Sequence, residues 1–369
     1  MKDLLNYLKT YEDVPFAEKE MTEIDFMILV QLSYLNFERI SIQKFCFLSS
    51  LESMVEKITE GNYATNRNKE LFHRICNAHR FKDLEIGEVE SVLNDSIQYA
   101  AMTFRLNQTC YIVYRGTDMS IAGWKEDFTL GVSETIESHS LGLNYANRMM
   151  KNEEKNFYLL GHSKGGNIAL YVGMNIEEEY QNRLVQIIDF DGPGFTFDLI
   201  HHPSYLRIKE KYSKFVPKDD VIGLLLNHSN AYQVVDSKSI GFLQHDLYFW
   251  KIEKDSFKKL DDISILSKIF SKTILDWLDS MTIEEKIECV NAADDFFKKA
   301  NITDLNQLKK LSFSTMKGVI GTSIHLPFKQ KKMFAILMAR MIKYYVKNSV
   351  HQIQKKEDPE LLEEHAIKI

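Results

Sequence analysis

The chain has 369 residues, of which 44% are hydrophobic and 27% charged, with 16 Gly, 6 Pro and 4 Cys. That balance excludes a disordered chain, a collagen-like repeat and a disulfide-built scaffold. The net charge of −6 argues against a nucleic-acid-binding protein, and the length suits one large domain with an appendage or two domains.

Charge is unevenly spread. Residues 1–250 carry 25 basic and 35 acidic side chains, whereas residues 251–369 carry 21 and 17, a change of sign that marks a division at domain level. No apolar run reaches the roughly 20 residues needed to cross a bilayer. The N-terminus Met1–Asn6 lacks the apolar stretch of a signal peptide, so the expected location is cytoplasmic, with peripheral contact at the inner face of the membrane. Cys46, Cys76, Cys110 and Cys289 have neither zinc-site nor disulfide spacing. They are expected to be reduced and mostly buried.

Residues 1–90 read mainly as helices and as the N-terminal part of a catalytic domain. Ile24–Phe37 has apolar residues at helical spacing, and Leu84–Leu93 is a weaker helical candidate. The pattern then changes. Tyr99–Phe104 and Cys110–Tyr114 are β-rich and joined by Leu106-Asn107-Gln108 as a hairpin. A helix near Leu141–Met150, a strand at Phe157–Leu160, a helix over Gly165–Asn175 and a strand at Leu184–Phe190 follow. The turn Asp191-Gly192-Pro193-Gly194 closes this series. Such alternation predicts an α/β fold with a mostly parallel sheet covered on both faces, centred on residues 91–250. Beyond Trp250 helical signals dominate, so residues 251–369 are expected to be a helical C-terminal region. Ile263, Leu266, Ile269, Phe270, Ile274 and Leu278 form one stripe there, and Thr282–Glu285 fits a capping box.

The chemistry is concentrated in Gly161-His162-Ser163-Lys164-Gly165-Gly166, a Gly-x-Ser-x-Gly nucleophile elbow between a strand and a helix. Glycines at 161 and 165 relieve the crowding of so sharp a turn. The Lys164 amide would begin the helix and point at a developing oxyanion. A nucleophilic serine needs a base and an orienting acid. Four histidines follow Ser163 before the sequence changes character. His245 precedes an aromatic segment and is preferred, with His228 in reserve; His201 and His202 adjoin Pro203 in a polar loop and read as surface residues. For the acid, Asp220 is preferred at the end of a short strand over Lys214–Pro217, with Asp219 second and Asp189 and Asp191 as competitors. The turn Arg115-Gly116-Thr117-Asp118 would supply a second oxyanion donor from Thr117.

Together, Tyr114-Arg115-Gly116-Thr117, Trp124 and Asp127, the Gly-His-Ser-x-Gly-Gly elbow, Asp219-Asp220-Val221 and His245-x-x-Tyr248-x-Trp250 resemble the class 3 (fungal-type) lipases. They are most similar to a bacterial lipase-like branch with lysine after the nucleophile. The resemblance spans about residues 20–250. It implies an α/β-hydrolase core in which Ser163 is nucleophile, Asp220 acid and His245 base, with the Thr117 and Lys164 amides as oxyanion hole. Lys164 and Asn167 depart from the leucine and small residue common in the secreted lipases.

The expected function is a serine ester hydrolase acting on acyl esters, including those of lipids, through an acyl-enzyme. A thioesterase, peptidase or acyltransferase with the same triad, or a binding module on a hydrolase fold, is the alternative. No metal or nucleotide motif occurs, so no cofactor is expected. Finally, Lys309–Lys356 holds eleven Lys or Arg and no Asp or Glu. Phe334, Leu337, Met338, Met341 and Tyr345 share a helical face in it. This basic amphipathic segment is read either as packed with its lysines facing water or as a docking face for an anionic membrane.

Overall fold

The computed structural model describes residues 3–42, 44–60, 65–118, 120–299 and 328–357, and the chain divides into two units, Met1–Asp262 and Ile263–Ile369. Residues 309–327 of the basic stretch lie outside the described residues.

The first unit opens with helices α1 (Leu4–Tyr11), α2 (Glu23–Leu32), α3 (Val55–Thr59) and α4 (Thr65–Asn77) and the short strand β1 (Cys46–Phe47). A capping box starts α2: the Thr22 hydroxyl accepts from the Ile24 amide, and Asp25 accepts from the Thr22 amide at 2.9 Å. Every residue from Ile24 to Leu32 is buried. The helix is apolar all round because it lies inside the core. Its buried carboxylate, Asp25, is paired at 2.7 Å with the equally buried Arg80.

The segment expected as a weak helix over Leu84–Leu93 is instead strand β2 (Glu85–Leu93), antiparallel to β3 (Gln98–Leu106). The register slips between Gly87 and Glu90, and Glu88 takes a φ of 51°. Such a bulge breaks the two-residue period of the apolar positions, which is why their spacing imitates a helix. The expected hairpin follows, with Asn107 at φ 54° joining β3 to β4 (Thr109–Tyr114).

Helices α5 (Ile121–Leu130) and α6 (Glu137–Asn152) lead to β5 (Asn156–His162). Then come α7 (Lys164–Asn175), α8 (Glu178–Gln181), β6 (Leu184–Phe190), α9 (Pro203–Ile208), β7 (Tyr212–Pro217) and β8 (Gln233–Val235). Before the helical region lie three two-residue strands, β9 (Ile252–Glu253), β10 (Ser256–Phe257) and β11 (Lys259–Leu260), too short to leave a period in the sequence. The main sheet runs β1-β2-β3-β4-β5-β6-β7-β8-β11, parallel from β4 to β8 and antiparallel at both margins.

Alternate strand residues feed two cores. Val113, Leu160, Ile188 and Phe215 pack with α1, α2 and α4, while Ile112, Leu159 and Ile187 pack with α6, α7 and α9. Helices therefore cover both faces of a mostly parallel sheet, the architecture of an α/β-hydrolase core. The parallel strands end in register, with His162 beside Phe190 and Phe190 beside Phe215. Arg115–Thr117, Ser163, Asp191 and Lys218–Asp220 consequently leave the sheet along one edge. The four cysteines are free, as expected, but only Cys110 is fully buried.

The second unit contains α10 (Ile265–Asp279), α11 (Ile283–Lys299) and α12 (Phe328–Glu357). The expected capping box is present, with the Thr282 hydroxyl accepting from the Glu285 amide and Glu285 from the Thr282 amide. Helices α10 and α12 lie side by side and antiparallel. The Trp277 indole donates to the Leu337 carbonyl at 2.8 Å, and Asn348 donates to Thr273 and Asp276. Within the expected α10 stripe Ile269 is buried, whereas Leu266 and Phe270 are exposed.

Candidate active site

Ser163 stands between β5 and α7 with φ 57° and ψ −132°, a backbone region that disfavours any side chain. The turn is tight enough that a Cβ on Gly161 would lie 2.1 Å from the carbonyl carbon of Gly165. Glycine is therefore required, as the elbow pattern predicts. The strained serine remains partly accessible while its neighbours His162 and Lys164 are buried. Gly116 brings the preceding loop against it: a Cβ there would come within 3.2 Å of the Ser163 Cβ. Thr117 donates its hydroxyl to Asp127 at 2.8 Å, and Ser120 caps the start of α5. The turn at Gly116 and the start of α7 thus both lie against the serine.

His245 ends a short turn, Gly241–His245, and its Nδ1 lies 2.7 Å from Asp191 Oδ2. The structure thus places Asp191, one of the competitors, on the imidazole, where the sequence favoured Asp220. The cause is the chain just past β6. Asp191 takes a φ of 58°, a left-handed turn that aspartate tolerates and that strand alternation does not anticipate. Burial pulls the His245 imidazole down to about 4, with the surrounding carboxylates, Asp220 first, opposing it. It is therefore neutral, as a base must be, at neutral pH.

Asp220 lies one shell behind. Its Oδ1 accepts the Ile222 and Gly223 amides at 2.8 Å each, and the Gly223 amide also reaches Asp191 Oδ1 at 3.2 Å. Its buried Oδ2 receives no N–H or O–H donor among the described residues. The two buried carboxyls meet at the Gly223 amide, and like charges so close favour a proton on one of them. Burial, then the neighbouring Asp191 charge, drive the Asp220 carboxyl well above the usual range; burial pushes Asp191 up to about 7, against the hydrogen bond from Asp220. Both carboxyls are raised by burial, so the pair as a whole holds on to a proton.

The other candidates have structural partners. Asp189 takes the Tyr212 hydroxyl at 2.6 Å, the Gly192 amide at 2.8 Å and the Lys214 ammonium at 3.3 Å. Asp219 binds the Gln244 side chain at 2.6 Å and so pins the turn that carries His245. His228 lies 2.8 Å from the Ser229 carbonyl, exposed His201 pairs with Asp198, and His202 caps α9. Sequence reasoning missed two positioning residues. His162 donates from Nε2 to the His245 carbonyl at 2.9 Å, which leaves its Nδ1 to accept the Tyr34 hydroxyl at 2.7 Å. Burial keeps this imidazole well below its usual range. No pattern flags Tyr34, which lies 128 residues away.

The two departures from the secreted lipases are buried polar ties. Lys164 Nζ lies 2.6 Å from Glu126 Oε2 and 3.0 Å from Gln98 Oε1, with side-chain exposures of 0% for Lys164 and 4% for Glu126. Glu126 also accepts from the Ser138 hydroxyl at 2.5 Å. Asn167 receives His139 Nε2 at 2.6 Å and donates to the Pro193 and Gly194 carbonyls. Replacing Lys164 by Met strands the Glu126 charge and is expected to cost about 3–5 kcal/mol in a denaturant titration. Adding Glu126→Gln should recover most of that loss. A smaller, pH-dependent effect is expected at Asp127, whose carboxyl burial pushes up to about 6. A group raised in the folded state stabilises when protonated, so stability is lost as pH rises from about 4 to 6. Asp127→Asn should therefore melt higher than the parent at pH 8, by about 1–2 kcal/mol. The advantage should vanish below pH 4.

A family profile described as Mbeg1-like matches residues 75–297. No curated protein sequence matches the chain. Among solved structures it is similar to the native Rhizomucor miehei lipase propeptide complex, at 17% identity and a TM-score of 0.35, over 58% of this chain and 68% of that one. It is also similar to the Lip2 lipase of Yarrowia lipolytica, at 12% identity and a TM-score of 0.32, over 61% of this chain and 80% of that one.

Proposed function

The chain belongs to the Mbeg1-like family, and from that premise and the geometry at Ser163 we propose that it is a serine hydrolase of acyl esters, lipid esters included. The observation that carries the proposal is a serine held in a strained strand-to-helix turn whose preceding residue, His162, donates to the carbonyl of His245, itself coupled to Asp191. Ser163 Oγ attacks the ester carbonyl carbon and passes its proton to His245 Nε2, while Nδ1–H donates to ionised Asp191. The amides of Thr117 and Lys164 take the negative charge that develops on the carbonyl oxygen. When the tetrahedral intermediate collapses, the C–O bond to the alcohol breaks and His245 returns the proton to the leaving oxygen. Water then repeats the sequence on the acyl-enzyme, releasing the carboxylic acid and free Ser163. Asp220, protonated, donates to Asp191 and holds it in place.

An apolar acyl group is favoured by the rim beside the base. Ile240, Phe242 and Leu243 are 78%, 53% and 60% exposed, and the Phe242 ring lies 6.1 Å from that of His245. A fluorophosphonate probe should label Ser163 alone, as read by peptide mass spectrometry. Aryl esters of increasing chain length should then be cleaved faster than matched amides. A folded protein that neither labels nor cleaves any ester would refute the proposal.

A further inference from the structure

Helix α12 has two apolar rows, and among the described residues only one of them is packed. Leu337, Met341, Tyr344 and Asn348 follow i, i+4, i+7 and i+11; Leu337 and Asn348 are buried, and their contacts are with α10. The second row, Met338, Ile342, Tyr345, Val346 and Ile353, keeps helical spacing on a different side. Its members are 48%, 58%, 46%, 56% and 58% exposed. The sequence expectation of one stripe through Leu337, Met338, Met341 and Tyr345 is thus split between a packed side and an open one, and the Phe334 side chain lies outside the described residues.

Charge says what the open row suits. Lys332, Lys343 and Lys347, all exposed, run along one border of it at i, i+11 and i+15. From Phe328 to Lys356 the helix contains no Asp or Glu, whereas the whole chain is acidic. A row of apolar side chains bordered by lysines, on a helix with no acid of its own up to Lys356, matches the boundary between headgroups and acyl chains of an anionic bilayer. The acid beside that border is Asp276 of α10, 3.9 Å from Lys347 and mostly buried. No described helix is long and apolar enough to cross a membrane, and 30 residues in a basic helix extend about 45 Å in the membrane plane. We propose that the Met338–Ile353 face of α12 docks on anionic lipid surfaces, apolar row inserted and lysines on the phosphates. A nucleic acid would not use the apolar row, and an acidic protein partner is the alternative that the test separates.

The full-length chain carrying Ser163→Ala is sedimented with phosphatidylcholine vesicles, with or without phosphatidylglycerol. Binding is expected only with phosphatidylglycerol and should weaken as salt rises. Lys332→Gln, Lys343→Gln and Lys347→Gln together should weaken it about 100-fold, from the contribution of each basic residue near an anionic surface. Ile342→Ser with Val346→Ser should weaken it at every salt concentration. Both sets should leave the thermal melt unchanged, because the altered side chains are exposed. The proposal is overturned by absence of binding to phosphatidylglycerol vesicles, by equal binding to both vesicle types, or by a lowered melt in both sets, which would mean the row is packed against protein. Because Ser163 is already replaced, the outcome is independent of the hydrolase proposal.

Discussion

Ser163→Ala is expected to lower kcat for an aryl ester by roughly a million-fold, because the base and oxyanion donors cannot act in concert without the nucleophile. The same change should leave stability nearly untouched. Alanine suffers the strain at φ 57° and ψ −132° as much as serine does, and no hydrogen bond of the hydroxyl supports the fold among the described residues. Ser163→Gly should be equally inactive yet more stable by about 1–2 kcal/mol, since glycine alone relaxes that conformation. Paired kinetics and melts of the two variants therefore separate catalytic strain from structural need. Activity surviving either substitution would remove Ser163 from the mechanism.

The second large effect distinguishes two neighbouring carboxyls. Asp191→Asn is expected to cost about 10⁴ in kcat, because an amide beside Nδ1 favours the wrong imidazole tautomer. Asp220→Asn should stay within a few-fold of the parent. Its amide nitrogen can donate to Asp191 as the protonated carboxyl does, while its oxygen still accepts the Ile222 and Gly223 amides. Asp220→Leu removes both functions, and a loss of about 10-fold in kcat with little change in KM is expected. If Asp220 were itself the acid, the order would invert: the asparagine at 220 would be crippling and that at 191 mild. Steady-state kinetics of the three variants decide the matter.

The parts of the fold that were legible share a cause. β6 and the hairpin of β3 and β4 are bounded by turn residues and are buried on both faces or along one, so their apolar pattern is local and clean. The elbow was legible because chemistry and sterics demand the same residues within six positions. β2 was misread because its bulge disturbed the period, and β9–β11 have no period to show. The sequence preference for Asp220 differs from the carboxyl found on His245 for another reason. Asp189, Asp191, Asp219 and Asp220 all lie at strand ends on one edge, and which carboxyl meets His245 is set by a single left-handed residue. That is a property of backbone conformation, invisible to a pattern of residue types. Tyr34 and His162 were missed because their meeting spans 128 positions.

The bonds of His162 to Tyr34 and to the His245 carbonyl carry a consequence for the order of assembly. The first helices, the elbow and the turn bearing the base are separated by 128 and 83 residues, so the closures that join them are long and entropically expensive. As the chain emerges from a ribosome, the helical layer and the sheet up to β6 can condense while the base is still unmade. His245 reaches the elbow, through its contact with His162, only when almost the entire first unit has been synthesised. A nascent or truncated chain ending before residue 245 would thus fold in part but lack the base that the proposed mechanism needs, so the site would be completed last, after the surface that contains it.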